Sequence, residues 1–203
     1  MKNLLVIRSS VNGANSISNQ MLNVFITQLR AKHPELNVTE RNLAEQPVPM
    51  ITPETVGAIR AGVTDSSTQI EADRLASELI EEIKSADAVA IGIPRYNFQV
   101  PTTLKAYIDY IARPRITFQY GANGPEGLLP NDTSVYGFVA SGGVYSNQPD
   151  SDLMSLWLKQ AFGFIGLHQL ELIHTEGAAM GGEQAQTAFR KTAQRIDEIV
   201  ATL

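Results

Sequence analysis

The stretch "NLLVIRSSVNGANSISNQMLNVFITQLRAK", residues 3–32, decides the fold. Its first six residues, Asn3–Arg8, form a short apolar run of the kind found in strands buried on both faces. After a polar turn, Met21, Leu22, Phe25, Ile26 and Leu29 recur at three- and four-residue spacing. They lay one apolar stripe along a helix from about Ser16 to Lys32. A buried strand that feeds an amphipathic helix is half of a βαβ unit, and the rest of the chain repeats the alternation.

Further strands are expected at Asn37–Asn42, Ala88–Ile93, Ser134–Ala140 and Gln169–His174. A second helix is expected from about Thr68 to Ser85, where Ile70, Leu75, Leu79, Ile80 and Ile83 share a face. A third starts after Pro101, a residue suited to a first helical turn, and carries Leu104, Tyr107, Ile108 and Ile111. Ser151–Phe164 and Glu183–Thr202 complete the set. Five strands alternating with five helices predict an α/β, doubly wound, five-stranded parallel sheet of the flavodoxin-like kind, order 2-1-3-4-5, in a three-layer sandwich. Residues 1–203 read as one domain without internal repeats.

Two stretches exceed this plan. Glu45–Ser67 and Arg113–Thr133 are too long and too rich in Pro and Gly for plain connections, and excursions of this kind are usually functional or disordered. The second alternates Ile116, Phe118 and Tyr120, which suits extended chain. It is expected to fold over a site or against another subunit, with packing on its own core as the alternative.

Composition narrows the chemistry. The net charge of −5 leaves no basic face for a phosphodiester backbone, so nucleic acid is not an expected partner. The absence of cysteine removes disulfides, thiolate catalysis and Cys-based metal sites, and is consistent with a cytoplasmic setting. The apolar run "LLVI" is too short for a signal-peptide core, and no stretch approaches the roughly 20 residues of a membrane span. His33, His168 and His174 are too scattered for metal spacing. No GxSxG elbow is present, and Arg8-Ser9 stands where a phosphoryl-accepting acidic pair would follow the first strand.

In open parallel sheets ligands bind beyond the carboxyl ends of the strands, where the winding reverses. The three loops there read "SSVNGANSIS", "PRYNFQVP" and "SGGVYSNQP". The first enters a helix N-terminus, where free N–H groups favour an anion, and Ser9, Ser10, Ser16 and Ser18 add hydroxyls. Neither GxxxxGK[ST] nor GxGxxG is present, which leaves a single phosphate as the candidate; a plain N-cap at Ser16 or Ser18 is the alternative. The second loop sets Tyr96, Asn97 and Phe98 at the sheet edge, where aromatic and amide groups can fix a planar ring. In the third, Gly142-Gly143 lets the main chain approach a ligand. One phosphate loop and two ring loops describe a flavin mononucleotide (FMN) site.

Over nearly its full length the chain resembles the FMN-dependent NADH-azoreductases, also known as NADH:quinone oxidoreductases. The resemblance rests on "SNQM", "VGAIR", "YNFQVPTTLKAYIDYIAR", "TFQYGANGPEGLL", "SGGVY" and "FGFIGL". It implies that Ser10, Ser16, Ile17 and Ser18 hold the FMN phosphate. It also implies that Arg95, Tyr96, Asn97 and Phe98 run along the flavin, and that Ala140, Ser141, Gly142 and Gly143 surround its pyrimidine end. A homodimer with shared sites is implied as well. Members of the family usually carry methionine at the position of Arg95, and often Ser-Arg-Gly-Gly where this chain has Ala140-Ser141-Gly142-Gly143. A guanidinium aimed at the ring would raise its potential; a solvated Arg95 is the alternative.

The implied activity takes hydride from NADH or NADPH and reduces quinones and azo compounds in two half-reactions, ping-pong fashion, with protons from water. Phe98, Phe118, Tyr120 and Phe162 are candidate apolar walls for the second substrate, each with a core or interface role as its alternative. Arg60, in "VGAIR", is a candidate for the nucleotide phosphate, with no ligand at all as the alternative. A flavodoxin-like electron carrier or FMN-binding module without turnover is the competing reading.

Overall fold

The computed structural model describes residues 1–146 and 152–203. In chain order the elements are β1 (Asn3–Arg8), α1 (Ile17–Lys32), β2 (Asn37–Asn42), α2 (Val56–Ala61), α3 (Ser67–Lys84), β3 (Ala88–Pro94) and α4 (Thr102–Ile111). There follow β4 (Phe118–Gly121), β5 (Gly124–Gly127), β6 (Ser134–Ala140), α5 (Leu153–Phe164), β7 (Gln169–Thr175) and α6 (Gly182–Thr202). The expected helix start at Ser151 lies outside the described residues.

Five parallel strands form one sheet in the order β2-β1-β3-β6-β7. This differs from the expected numbering 2-1-3-4-5 because an antiparallel hairpin, β4-β5, is interposed in the chain and lies outside the main sheet. All seven residues of β3 are buried, as expected of a strand covered on both faces. Side chains alternate between the layers. Leu5, Ile7, Val89, Ile91, Val135 and Val139 pack with α3, α4 and α5, whereas Leu4, Val6, Ala90, Tyr136 and Phe138 pack with α1 and α6.

Both excursions are ordered. The first contains α2, which one buried arginine ties down. Arg113, its side chain 5% exposed, pairs with Asp73 at 2.6 Å and donates to Ser77 Oγ at 3.1 Å and to the α2 carbonyls of Ile59 and Ala58 at 3.1 and 3.4 Å. An arginine is suited to this position because its fork of donors serves several acceptors while its charge stays paired.

The second excursion makes the hairpin. Phe118 is buried against Phe164, ring centroids 4.2 Å apart, while Tyr120 stands out from the surface. The hairpin therefore both packs on its own core and presents an aromatic outward. It is seated where Gly127 meets Gly166, so closely that a Cβ on Gly127 would overlap the Gly166 backbone. Gly166 has φ +103°, and a hydrogen bond from Leu129 N to Ile165 O, 3.0 Å, closes the contact. Two motifs far apart in sequence, "NGPEGL" and "FGFIGL", thus carry glycine because they touch. Among the described residues no helix is long and apolar enough to cross a membrane, and no group of three or more His, Asp or Glu is placed to hold a metal.

Candidate functional site

The parallel register delivers the ends of β1, β3 and β6 to one edge, and hydrogen bonds join the loops that follow. Ser9 Oγ donates to Gly92 O at 2.6 Å, and Thr103 Oγ1 donates to Ser9 O at 3.4 Å. The hydroxyls of Ser10 and Tyr96 lie 3.1 Å apart, which ties the first loop to the second. Arg95 N donates to Ala140 O at 2.8 Å, which ties the second to the third. Of the residues expected to bind cofactor, the structure thus directly links Ser10, Arg95, Tyr96 and Ala140.

The first loop passes through one turn of 3-10 helix, Gly13–Asn15, before α1. Ser16 is the N-cap: its Oγ accepts from Asn19 N at 3.4 Å and lies 3.0 Å from Ser18 Oγ. Ser10, Ser16 and Ser18 are all buried. The N–H groups of Ile17 and Ser18 have no acceptor among the described residues, as befits the first turn of a helix. Cap and anion cradle are therefore compatible here, since Ser16 caps with one lone pair and the orphan donors remain. Asn19, overlooked in the sequence reading although it lies within "SNQM", braces the loop by donating from Nδ2 to Gly13 O at 3.0 Å.

In the second loop Tyr96 N donates to Gln99 O at 2.8 Å and Gln99 N to Tyr96 O at 3.0 Å, closing a two-residue turn. Its central residues have φ +46° and +72°, the left-handed region, which suits Asn97 but strains Phe98. Phe98 is 71% exposed, so packing within the chain does not offset the strain. Strain of this kind collects at binding sites, where it presents a group in a fixed direction.

The third loop folds against the turn after β7. Ser141 N donates to Thr175 O at 3.1 Å, Ala178 N to Ser141 O at 3.0 Å and Gly177 N to Gly143 O at 3.0 Å. Neither Gly142 nor Gly143 uses its N–H among the described residues. A Cβ at Gly142 would lie 3.1 Å from Ala179 Cβ, so this glycine also answers to its neighbour. Asn147, Gln148 and Pro149 of the expected loop lie outside the described residues.

Arg95 is not the solvated arginine that was the alternative. Its side chain is 2% exposed, pairs through Nη2 with Asp152 Oδ1, and lies with Cζ 4.0 Å above the Tyr145 ring. It is neither solvated nor a free cation, because Asp152 neutralises it. Burial pushes the Asp152 carboxyl up, but hydrogen bonds from Ser155 and Arg95 outweigh this and hold it below the usual carboxylate range. Asp152 also caps α5, a role its place before the apolar run 153–164 announces.

The expected substrate walls separate. Phe98 and Tyr120 are exposed, Phe118 is 7% exposed beneath Tyr120, and Phe162 is fully buried in the core on α5. Phe162 is therefore a packing residue in this chain, not a surface wall. Arg60 is exposed on α2.

The whole chain is similar to known proteins. A family model described as "Flavodoxin-like fold" matches residues 2–200. An FMN-dependent NADH:quinone oxidoreductase of Haemophilus influenzae (strain PittEE) is 38% identical, with 100% of each chain covered. One from Aromatoleum aromaticum is 41% identical over 98% of this chain and 100% of the relative. Among solved structures, an FMN-dependent NADH-azoreductase from Bacillus anthracis str. Ames Ancestor in complex with FMN superposes with a TM-score of 0.87 at 26% identity, covering 98% of this chain and 100% of that one.

Proposed function

The chain belongs to the flavodoxin-like family of FMN-dependent NADH:quinone oxidoreductases and azoreductases, and from that premise we propose that it oxidises NADH and reduces quinones and azo compounds by alternating the two substrates at one FMN site. The observation that carries this is the pair of buried Ser16 and Ser18 hydroxyls, 3.0 Å apart at the orphan N–H groups of Ile17 and Ser18, with the buried Ser10 of the same loop bonded to Tyr96. Such an arrangement fits one phosphate held by neutral donors. Ile17 contributes its main chain alone, so its side chain is free to be apolar. Tyr96, Asn97 and Phe98 would supply the wall of a planar ring, and Gly142 and Gly143, whose N–H groups have no acceptor among the described residues, would supply donors for its polar end. Bound FMN supplies the two-electron exchange that no side chain here can perform.

The protein's share is to hold, orient and screen. A quinone takes two electrons and two protons from one NADH and one proton of solvent. An azo bond takes twice as many of each to give two amines. Among the described residues of the three loops none is a carboxylic acid, which favours water as the source of protons. Ping-pong kinetics follow if donor and acceptor take the same place in turn. Anaerobic stopped-flow mixing of FMN-loaded protein with NADH is expected to bleach the visible flavin absorbance, and a simple quinone to restore it. Flavin that binds and does not bleach would instead favour an electron carrier. The outward aromatics Phe98 and Tyr120 favour the enzyme, since a carrier needs no substrate walls.

Exposed Ile116, Tyr120 and Leu128, all on or beside the hairpin, further support a homodimer in which the partner subunit closes the site. Light scattering is expected to give twice the mass of one chain. A monomer at micromolar concentration would remove the shared site.

A further inference from the structure

We propose that Arg95 is a positioning residue that locks the Gly142–Ser146 segment in the shape its donors need, a role resting on the FMN reading above. The guanidinium is the meeting point of three stretches of chain. Its own backbone follows β3, its Nη2 holds the Asp152 cap of α5, and its plane covers the Tyr145 ring. Tyr145 is gripped from the other side too. Glu176, after β7, accepts from Tyr145 N at 2.8 Å and from Ser146 N at 3.1 Å. The segment bearing the Gly142 and Gly143 N–H groups is thus anchored at its near end by Ser141 N to Thr175 O and at its far end by Glu176 and Arg95.

Arginine is required here by its shape. One planar group must pair with a carboxylate and cover an aromatic face, which a lysine ammonium cannot do in the same place. Arg95 Nε and Nη1 are buried without a partner among the described residues. With its charge neutralised by Asp152, Arg95 acts on the cofactor through the loop, by fixing main-chain donors, and not through its own field.

The test uses Arg95→Met, Arg95→Lys, Tyr145→Phe and Tyr145→Ala. In the apoprotein, Arg95→Met and Tyr145→Ala are expected to speed amide hydrogen exchange at Gly142–Ser146 at least tenfold, leaving exchange in β3 unchanged. In the reconstituted protein both are expected to raise the FMN dissociation constant about tenfold and to alter the visible circular dichroism of the bound flavin. Arg95→Lys is expected to behave like Arg95→Met, while Tyr145→Phe, which keeps the ring, behaves as wild type. Unchanged exchange and unchanged FMN affinity in Arg95→Met overturn the proposal. If Arg95→Met does not fold, the Tyr145 pair decides, and equal behaviour of Phe and Ala overturns it. Wild-type protein that takes up no FMN would refute the proposed function instead, while the apoprotein exchange still judges the loop.

Discussion

Replacing Ser10, Ser16 and Ser18 together by alanine is expected to raise the FMN dissociation constant about a thousandfold. A hydrogen bond to a charged group contributes roughly 1.5–3 kcal/mol, and three at the low end remove ~4.5 kcal/mol, or about three decades of affinity. The low end is appropriate because these hydroxyls also bond one another and Tyr96, and because the Ile17 and Ser18 N–H groups survive the change. The apoprotein loses much less. Ser16 is the only one of the three that caps α1, and losing an N-cap costs roughly 1 kcal/mol. Flavin fluorescence titration and thermal melting of the apoprotein measure the two effects separately. Affinity within threefold of wild type would reduce these serines to helix caps and leave the phosphate without a cradle.

Gly127→Ala is expected to be the most damaging single methyl group among the glycines of the second excursion. The new Cβ meets Gly166 N and Cα, and backbone atoms cannot rotate away as a side-chain tip can. Overpacking typically costs 1–3 kcal/mol, and a backbone clash lies at or above the upper end, so a loss of about 3 kcal/mol is expected. For a chain of this size that lowers Tm by roughly 6–12 °C. Gly124→Ala is the control. Gly124 has φ +117° but open space around it, so its alanine pays conformational strain of only about 1–2 kcal/mol. Melting curves that rank Gly124→Ala as equal to or worse than Gly127→Ala would mean that the hairpin is not seated on Gly166.

The sheet was legible because the strands at its centre, β1, β3 and β6, are short apolar runs and the long helices α1 and α3 carry a stripe along their whole length, whereas the edge strands β2 (NVTERN) and β7 (QLELIHT) are polar or mixed and were placed by the alternation of elements. Short elements lacked that redundancy. Helix α2 has six residues, too few for a period to declare itself, and it is held by Arg113, which stands some fifty residues further on. The hairpin showed only as the alternation of Phe118 with Tyr120. What set its place was the Gly127–Gly166 contact, which no local pattern reveals.

The site divided in the same way. The Ser16 cap of α1 and the Tyr96–Gln99 turn could be read because each depends on residues within a few positions, whereas the partner of Ser10, Tyr96, stands 86 residues further on. Arg95 could not be read, since its surroundings are assembled from Tyr145 and Asp152, fifty or more residues away. Phe162 was misjudged for a related reason. An aromatic near a glycine-rich turn looks like a pocket wall until the helix phase shows that it points inward to the core. Local chemistry was readable, and contacts between loops were not.

The seat of the hairpin also sets a clock. Thirty-nine residues separate Gly127 from Gly166, and the ribosome adds about 5–20 residues each second. The hairpin accordingly leaves the ribosome some 2–8 s before the turn that must receive it. During that interval Phe118 has no Phe164 to cover it and the β4-β5 pair is an isolated two-stranded ribbon, a structure with little stability of its own. Until α5 is complete, the nascent chain therefore carries Phe118 without the Phe164 ring that covers it in the folded protein.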